Sequence, residues 1–384
     1  MRFAVGGMRF TVGPRMGLVC SLAMATLGLG LPTSASAQGL SPAVVAELDA
    51  ALAAVTTPPK FNPPGPVIDP APLKDKLIFT IPVSTTIPFC SVVDQQMATF
   101  AGRLGLQFQA WQSNAQLAQW AQGFTAAQER GAALVNVACG LDPATVAPQV
   151  GQTLAAHIPV VAGHTYAPGQ PQLAGLSGIV YGAYIPAALL EVDWIVRQTN
   201  GKANVLVITS PGTANSPFIQ KAMEAQFAKY CPGCKVRYLG VNTPDWATKI
   251  GPQVQSAILA DPDLNYILPI YDGMVQFTVP SIVATSATDR VKVASFNATP
   301  AVLDMIRTGN VVTFDIGEDT TWLAGAIIDQ DMRVLLGKPL IENYAAGLRA
   351  FTKANVEEAG VPAKFATGYG TSAADGYAAL WGLH

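Results

Sequence analysis

Apolar and polar positions along this chain follow two alternating periods, and the switches between them outline most of its architecture. Short apolar runs at 77–83, 106–111, 133–138 and 158–162 read as strands buried on both faces. Amphipathic segments at 90–103, 115–130 and 143–156 lie between them, and the first two stop near Gly105 and Gly131, where a helix commonly ends on glycine. A second series follows, with helices expected at 183–198, 215–229, 246–260 and 274–287 and strands at 203–208, 235–240, 265–270 and 291–295. It closes on "TGNVVTFDIGEDTTWLAGAIIDQDMRVLLGKP", a strand followed by a long helix. Strands alternating with helices predict parallel sheets covered on both faces. Two such series predict two α/β lobes, the long helix carrying the chain back to the first, with a ligand held between them at the C-terminal ends of the strands.

The stretch before this alternation reads differently. Arg2, Arg9 and Arg15, the apolar run "MGLVCSLAMATLGLGLP" and the small residues "ASA" (35–37) form the pattern of a secretory signal peptide over 1–37. The run is short for a bilayer span, which counts against an uncleaved anchor, and Cys20 lacks the preceding residues that lipid attachment requires. Export implies a periplasmic or otherwise extracytoplasmic protein. Residues 38–73 then read as a short amphipathic helix, "SPAVVAELDAALAAV", and a proline-rich connector, "TTPPKFNPPGPVIDPAP", expected to run extended.

Composition narrows the classes. With 50% hydrophobic and 12% charged residues the chain can bury a large core. Removal of 1–37 leaves 20 basic against 25 acidic residues, a net charge of about −5, and no concentrated basic patch for nucleic acid. The four remaining cysteines, Cys90, Cys139, Cys231 and Cys234, are an even set in an oxidising compartment and favour two disulfides. "CPGC" (231–234) has the spacing of a redox centre or half a zinc site, but no second CxxC and no histidine lies nearby, so a local brace is the simpler reading.

Catalytic chemistry is hard to assemble. The chain has no G-x-S-x-G elbow, no H-E-x-x-H helix and no G-x-x-x-x-G-K-[ST] phosphate loop. "GLGLG" falls in the export segment, and "GYGTSAADG" follows no evident strand. Of the three histidines, His157 reads as a helix-end residue and His384 is terminal, leaving His164. Glu318 and Asp319 are an adjacent acid pair in "GEDTTW", a setting that suits helix capping. The sequence therefore predicts no enzyme, no cofactor and no metal.

Four segments in order, "KLIFTIPVSTTIPF", "ERGAALVNVACGLDPATVAPQVGQTLAAHIPVVAGHT", "NVLVITSPGTANSPFIQKAMEAQF" and "VKVASFNATPAVLDMIRTGNVVTFDIGEDTTWLAGAIIDQDMRVLLGKP", resemble the type I periplasmic solute-binding proteins of ABC transporters, in the ribose-like sugar-binding branch. The resemblance covers about residues 76–353. It implies two Rossmann-like lobes joined by a three-strand hinge, here 74–177 with 318–345 and 178–317 with 346–384. The protein would be a monomer that closes on a small molecule and hands it to a membrane permease. A ligand-presenting partner of a membrane sensor is the rival role on the same fold.

Carried over position by position, the resemblance implies a changed pocket. Phe89 matches the first aromatic after the first strand, while Cys90 stands where a second would be. His164 and Thr165 replace an Asp-Arg pair, Pro217 with Phe218 beside it replaces an arginine, and Tyr271 with Asp272 replaces Asn-Asp. Asn297 replaces an aspartate, and a hinge glutamine falls at about Gly317. Tyr184 or Tyr181 adds a further aromatic, whereas Trp111 reads as packing. Fewer charged, bidentate groups and more rings predict a ligand less polar than a pentose. A sheet of this type also sets the first and third strands side by side, so Cys90 is expected to pair with Cys139, beside the local Cys231–Cys234 bridge.

Overall fold

The computed structural model describes residues 39–383 apart from residue 310; the expected signal peptide lies outside the described residues. The first lobe is built on five strands, β1 (Leu77–Pro82), β2 (Gln107–Ala110), β3 (Leu134–Ala138), β4 (Val160–Gly163) and β5 (Gly178–Val180). They form one parallel sheet in the order β2-β1-β3-β4-β5. The second lobe holds β6 (Asn204–Thr209), β7 (Lys235–Gly240), β8 (Tyr266–Pro269), β9 (Lys292–Phe296), β10 (Val312–Glu318) and β11 (Leu348–Phe351). Their order is β11-β10-β9-β8-β6-β7, parallel except for β11, which runs antiparallel to β10. The residues of β3 and β6 are buried throughout, as continuous apolar runs in a doubly covered sheet should be. Edge strand β7 instead alternates and carries Lys235 and Arg237, charges that discourage pairing with another chain.

Register places the functional loops. Pro82 pairs with Ala138 and Ala138 with Gly163, so β1, β3 and β4 end at one level and their loops emerge side by side. Ile208 pairs with Pro269, and Phe296 with Ile316, which does the same in the second lobe. Apart from the two ends of the described chain, three segments carry it between lobes: β5 into helix Tyr184–Gln198, β10 into helix Thr320–Leu335, and the return from that helix to β11.

Four elements exceed the expected set: β5, helix Pro300–Thr308, β11 and helix Ser372–Leu380. Each is short or of mixed polarity, and tertiary contacts define it where local periodicity does not. The C-terminal helix also rests elsewhere than expected. The stretch 346–384 was to lie with the second lobe; β11 does, but helix Ser372–Leu380 crosses to the first. Tyr377 and Trp381 stack at 4.8 Å, and Trp381 meets Phe100 edge-on at 5.2 Å. That apolar face finds its partner only on the first lobe.

The N-terminal segment also crosses. Helix Pro42–Ala53 buries Leu48 and Leu52 in the second-lobe core, and Asp49 pairs with Arg197 at 2.7 Å. Val55 then accepts from Ala350 N at 2.7 Å, and the connector reaches the first lobe, where Phe61 packs on Trp322 and Tyr377 and Pro64 O accepts from Arg333.

Candidate ligand-binding site

Between the lobes lies a small cavity of about 40 Å³, room for a few waters given that one needs about 10–15 Å³. Its first-lobe wall is Val83, Ile87, Phe89, Cys90, Cys139, Gly140 and His164, and its second-lobe wall is Tyr184, Thr213, Thr243, Trp246, Tyr271 and Asn297. All sit in or just beyond the C-terminal ends of strands, where register brings the loops together. Spaces of about 250 Å³ and about 90 Å³ flank it, and Ile87 lines all three.

The rings form an arc around the cavity. Phe89 lies 5.3 Å from His164, His164 4.7 Å from Tyr184, Tyr184 6.4 Å from Tyr271 and Tyr271 6.3 Å from Trp246, all tilted or edge-on. These are the offset geometries that aromatic quadrupoles favour. Cys90 and Cys139 are joined in a disulfide with Cα atoms 5.8 Å apart, so the crosslink is part of the wall; Cys231 and Cys234 are joined as well.

Most polar groups in the wall are already engaged. His164 Nε2 lies 2.5 Å from Glu318 Oε2, and Glu318 Oε1 accepts from Ala183 N at 2.6 Å. A carboxylate accepts, so Nε2 carries the proton. The Tyr184 hydroxyl stands 3.0 Å from His164 Nδ1 and donates to the His164 carbonyl at 2.8 Å. Burial, reinforced by Tyr271 and Glu318 nearby, holds the Tyr184 phenol well above its usual range and keeps it neutral. Tyr271 is raised for the same first reason and donates to Asn215 Oδ1 at 2.5 Å. Among the described residues that line the cavity, only Asn297 presents a polar side chain with no hydrogen-bond partner in the protein, and no Asp, Glu, Lys or Arg lines it.

Backbone strain gathers at the same place. Cys139, His164, Asn297 and Ala298 have φ of 56°, 54°, 129° and 48°, conformations that non-glycine residues hold only where their surroundings impose them.

Of the residues singled out in the sequence, Phe89, His164, Tyr184, Tyr271 and Asn297 are brought together. Phe218 is not: it lies half-buried on helix Ser216–Tyr230, away from the cavity, and Pro217 is exposed. Asp272 lies beneath the site, its Oδ2 accepting from Thr299 N at 2.6 Å, and it borders only the 90 Å³ space. Tyr181 faces outside the cleft, its hydroxyl accepting from Gln172, and Thr165 bonds to the Val137 carbonyl. Trp111 packs on Phe79, as expected. Asp319 caps helix Thr320–Leu335 through Thr321 N and Trp322 N, but Glu318 is no cap: it ends β10 and binds His164. Gly317 sits where a Cβ would collide with Ala298 and the Tyr369 hydroxyl, so the tail occupies the space a hinge side chain would need. Trp246, Thr213 and Thr243 were not foreseen. Their only signal is position, each just after a strand that ends at the cleft.

Fold and site together define a two-lobed binding protein with its ligand space at the strand ends. The periplasmic binding protein domain model matches residues 78–339, and the chain belongs to that family. No curated protein sequence matches it. Among solved structures it is similar to an ABC transporter solute-binding protein from Mycobacterium smegmatis with bound glycerol, at TM-score 0.66 and 17% identity over 74% of this chain and 96% of that one. It is also similar to the Caulobacter myo-inositol binding protein, at TM-score 0.64 and 20% identity over 74% and 96%. A solute-binding protein from Agrobacterium vitis with bound allitol matches at TM-score 0.65 and 16% identity over 74% and 98%.

Proposed function

We propose that the protein captures a small neutral solute with a cyclic or aromatic body between its lobes, outside the cytoplasm, and delivers it to the permease of an ABC importer. Family membership supports capture and delivery. The observation that carries the ligand class is the aromatic arc, closed by neutral groups and offering a single unengaged side-chain amide at Asn297. Rings stack on flat faces, and Asn297 supplies one donor and one acceptor for a polar edge. Bound sugars and polyols in structural relatives favour a second reading, a polyol ligand; the lack of charged bidentate partners in this wall weighs against it.

A cavity of about 40 Å³ holds no ring, so the lobes part to admit one and close over it. Ligand must then favour the closed form over the open one for a permease to read occupancy. No helix among the described residues is long and apolar enough to cross a membrane.

Asn297→Gly tests the anchor cleanly, because glycine suits the backbone angle while removing the amide. Calorimetric titration with the best-binding compound from a panel of neutral ring molecules is expected to show about tenfold weaker binding, one lost hydrogen bond to ligand. Phe218→Ala is expected to leave affinity unchanged. Equal affinity in Asn297→Gly and the unaltered protein would remove Asn297 from the site.

A further inference from the structure

The backbone just after Asn297 is held by two buried aspartates. Ala298 N donates to Asp315 Oδ1 at 3.1 Å, and Thr299 N to Asp272 Oδ2 at 2.6 Å. One oxygen of each is left over: Asp272 Oδ1 and Asp315 Oδ2 have no partner among the described residues. The two carboxyls accept from consecutive backbone amides and so lie side by side, and Asp272 is among the causes that push Asp315 up. Two bare carboxylates side by side at a buried site repel strongly, whereas a single proton shared by the pair removes that repulsion and gives an unpartnered oxygen a hydrogen bond.

We propose that Asp272 and Asp315 share one proton, and that this pair is the positioning device that holds the 297–299 loop and turns the Asn297 amide into the cleft. The role rests on the cleft being the ligand site; the proton sharing does not. The pair spans two elements, the loop after β8 and strand β10, and reaches a third, the loop after β9, so it ties two loops to a strand. Replacing the family's aspartate by Asn297 keeps a third acid from that immediate neighbourhood.

The groups that face the pair are Glu191 from helix Tyr184–Gln198, Ser295 from β9, the Thr299 hydroxyl and Tyr369 from the C-terminal tail, with no cation among them. Burial lifts Asp272, Asp315 and Glu191 above the ordinary carboxylate range, Asp315 further because Asp272 adjoins it. The sign follows. A carboxyl whose folded pKa is raised stabilises the fold fully below its unfolded value, and that contribution is lost as pH rises through the folded value. Loop order therefore falls as pH climbs from about 4, the unfolded value, through the raised value of the pair.

Asp315→Asn separates this from a merely structural role. The amide keeps an oxygen for Ala298 N and gives Asp272 a permanent N–H in place of the shared proton. Amide hydrogen exchange and carbon-13 carboxyl resonances of aspartate, recorded by NMR across pH on the full mature chain without ligand, read both halves. In the unaltered protein the assigned Asp272 and Asp315 carboxyl resonances are expected to keep the signature of one shared proton at neutral pH, lost in Asp315→Asn, while those of the other buried aspartates stay unchanged. Exchange at Ala298 and Thr299 is expected to steepen beyond the intrinsic hydroxide dependence as the pair ionises. In Asp315→Asn protection persists and only the intrinsic dependence remains, while Asp315→Ala loses at least about tenfold protection, the worth of a hydrogen bond to a charged group. Protection lost as fully in Asp315→Asn as in Asp315→Ala, or no excess pH dependence in the unaltered chain, would overturn the proposal. No ligand enters the measurement, so neither result bears on whether the cleft binds a ring.

Discussion

Glu318→Ala is expected to cost about 2–6 kcal/mol of stability in chemical denaturation, the sum for leaving two buried hydrogen-bond donors without an acceptor. Glu318 is fully buried at the end of β10 and joins two of the segments that pass between lobes. One oxygen holds His164, at the end of β4 in the first lobe; the other holds Ala183 N, where the chain enters the second. Alanine leaves both donors without an acceptor in a site closed to water, and each unsatisfied buried donor costs about 1–3 kcal/mol. Affinity should fall as well, because the His164 ring is one face of the cavity and Glu318 fixes its tautomer and tilt. Glu318→Gln restores one acceptor oxygen and is expected to fall between the two. A loss below about 1 kcal/mol in Glu318→Ala would mean that water replaces the carboxylate and that this junction is wetter than the structure shows.

The second large effect is expected from the disulfides, which should differ. Cys90 and Cys139 are 49 residues apart in sequence, Cys231 and Cys234 only three. On the loop-entropy account, removing the first crosslink by paired alanine substitution costs about 4 kcal/mol and removing the second about 2 kcal/mol. The first pair also lines the cavity, and Cys139 holds a left-handed backbone angle there, so its loss should weaken ligand binding where loss of the second should not. Denaturation and titration of the two double variants read these effects separately. Equal stability losses, or unchanged affinity without Cys90–Cys139, would contradict its role as a binding wall.

Much of the fold was legible because parallel strands covered on both faces announce themselves as unbroken apolar runs. β1, β3 and β6 are of this kind, and their loops inherit a shared level from register. The short segments were not legible. "GIV" of β5 has no periodicity of its own, and "SAADGYAAL" reads as a loop until Tyr377 and Trp381 find the aromatic face of the first lobe. The site divides similarly. Tyr271 and Asn297 follow strands directly, and their positions survive small errors of alignment, while Phe89 stands in the first turn of the helix after β1. Phe218 sits inside a helix, where one residue of register turns the side chain by about 100°, and it points elsewhere. Asp272 follows a strand too, but its chemistry was misassigned: what suits a sugar hydroxyl in position also suits a buried backbone amide, and only the pairing with Thr299 N and Asp315 distinguishes them.

The central claim, that this cleft takes a neutral ring in preference to a sugar, is tested most directly by thermal-shift measurement of the mature protein. The panel comprises pentoses, hexoses, polyols, nucleosides and neutral aromatic compounds. A compound that binds only the folded state must raise the melting temperature, by about 2.7 kcal/mol of added stability at a hundred times its Kd. The expected result is a clear upward shift with one class of neutral cyclic or aromatic compound and little with ribose or glucose. A large shift with ribose or glucose and none with the aromatic set would contradict it.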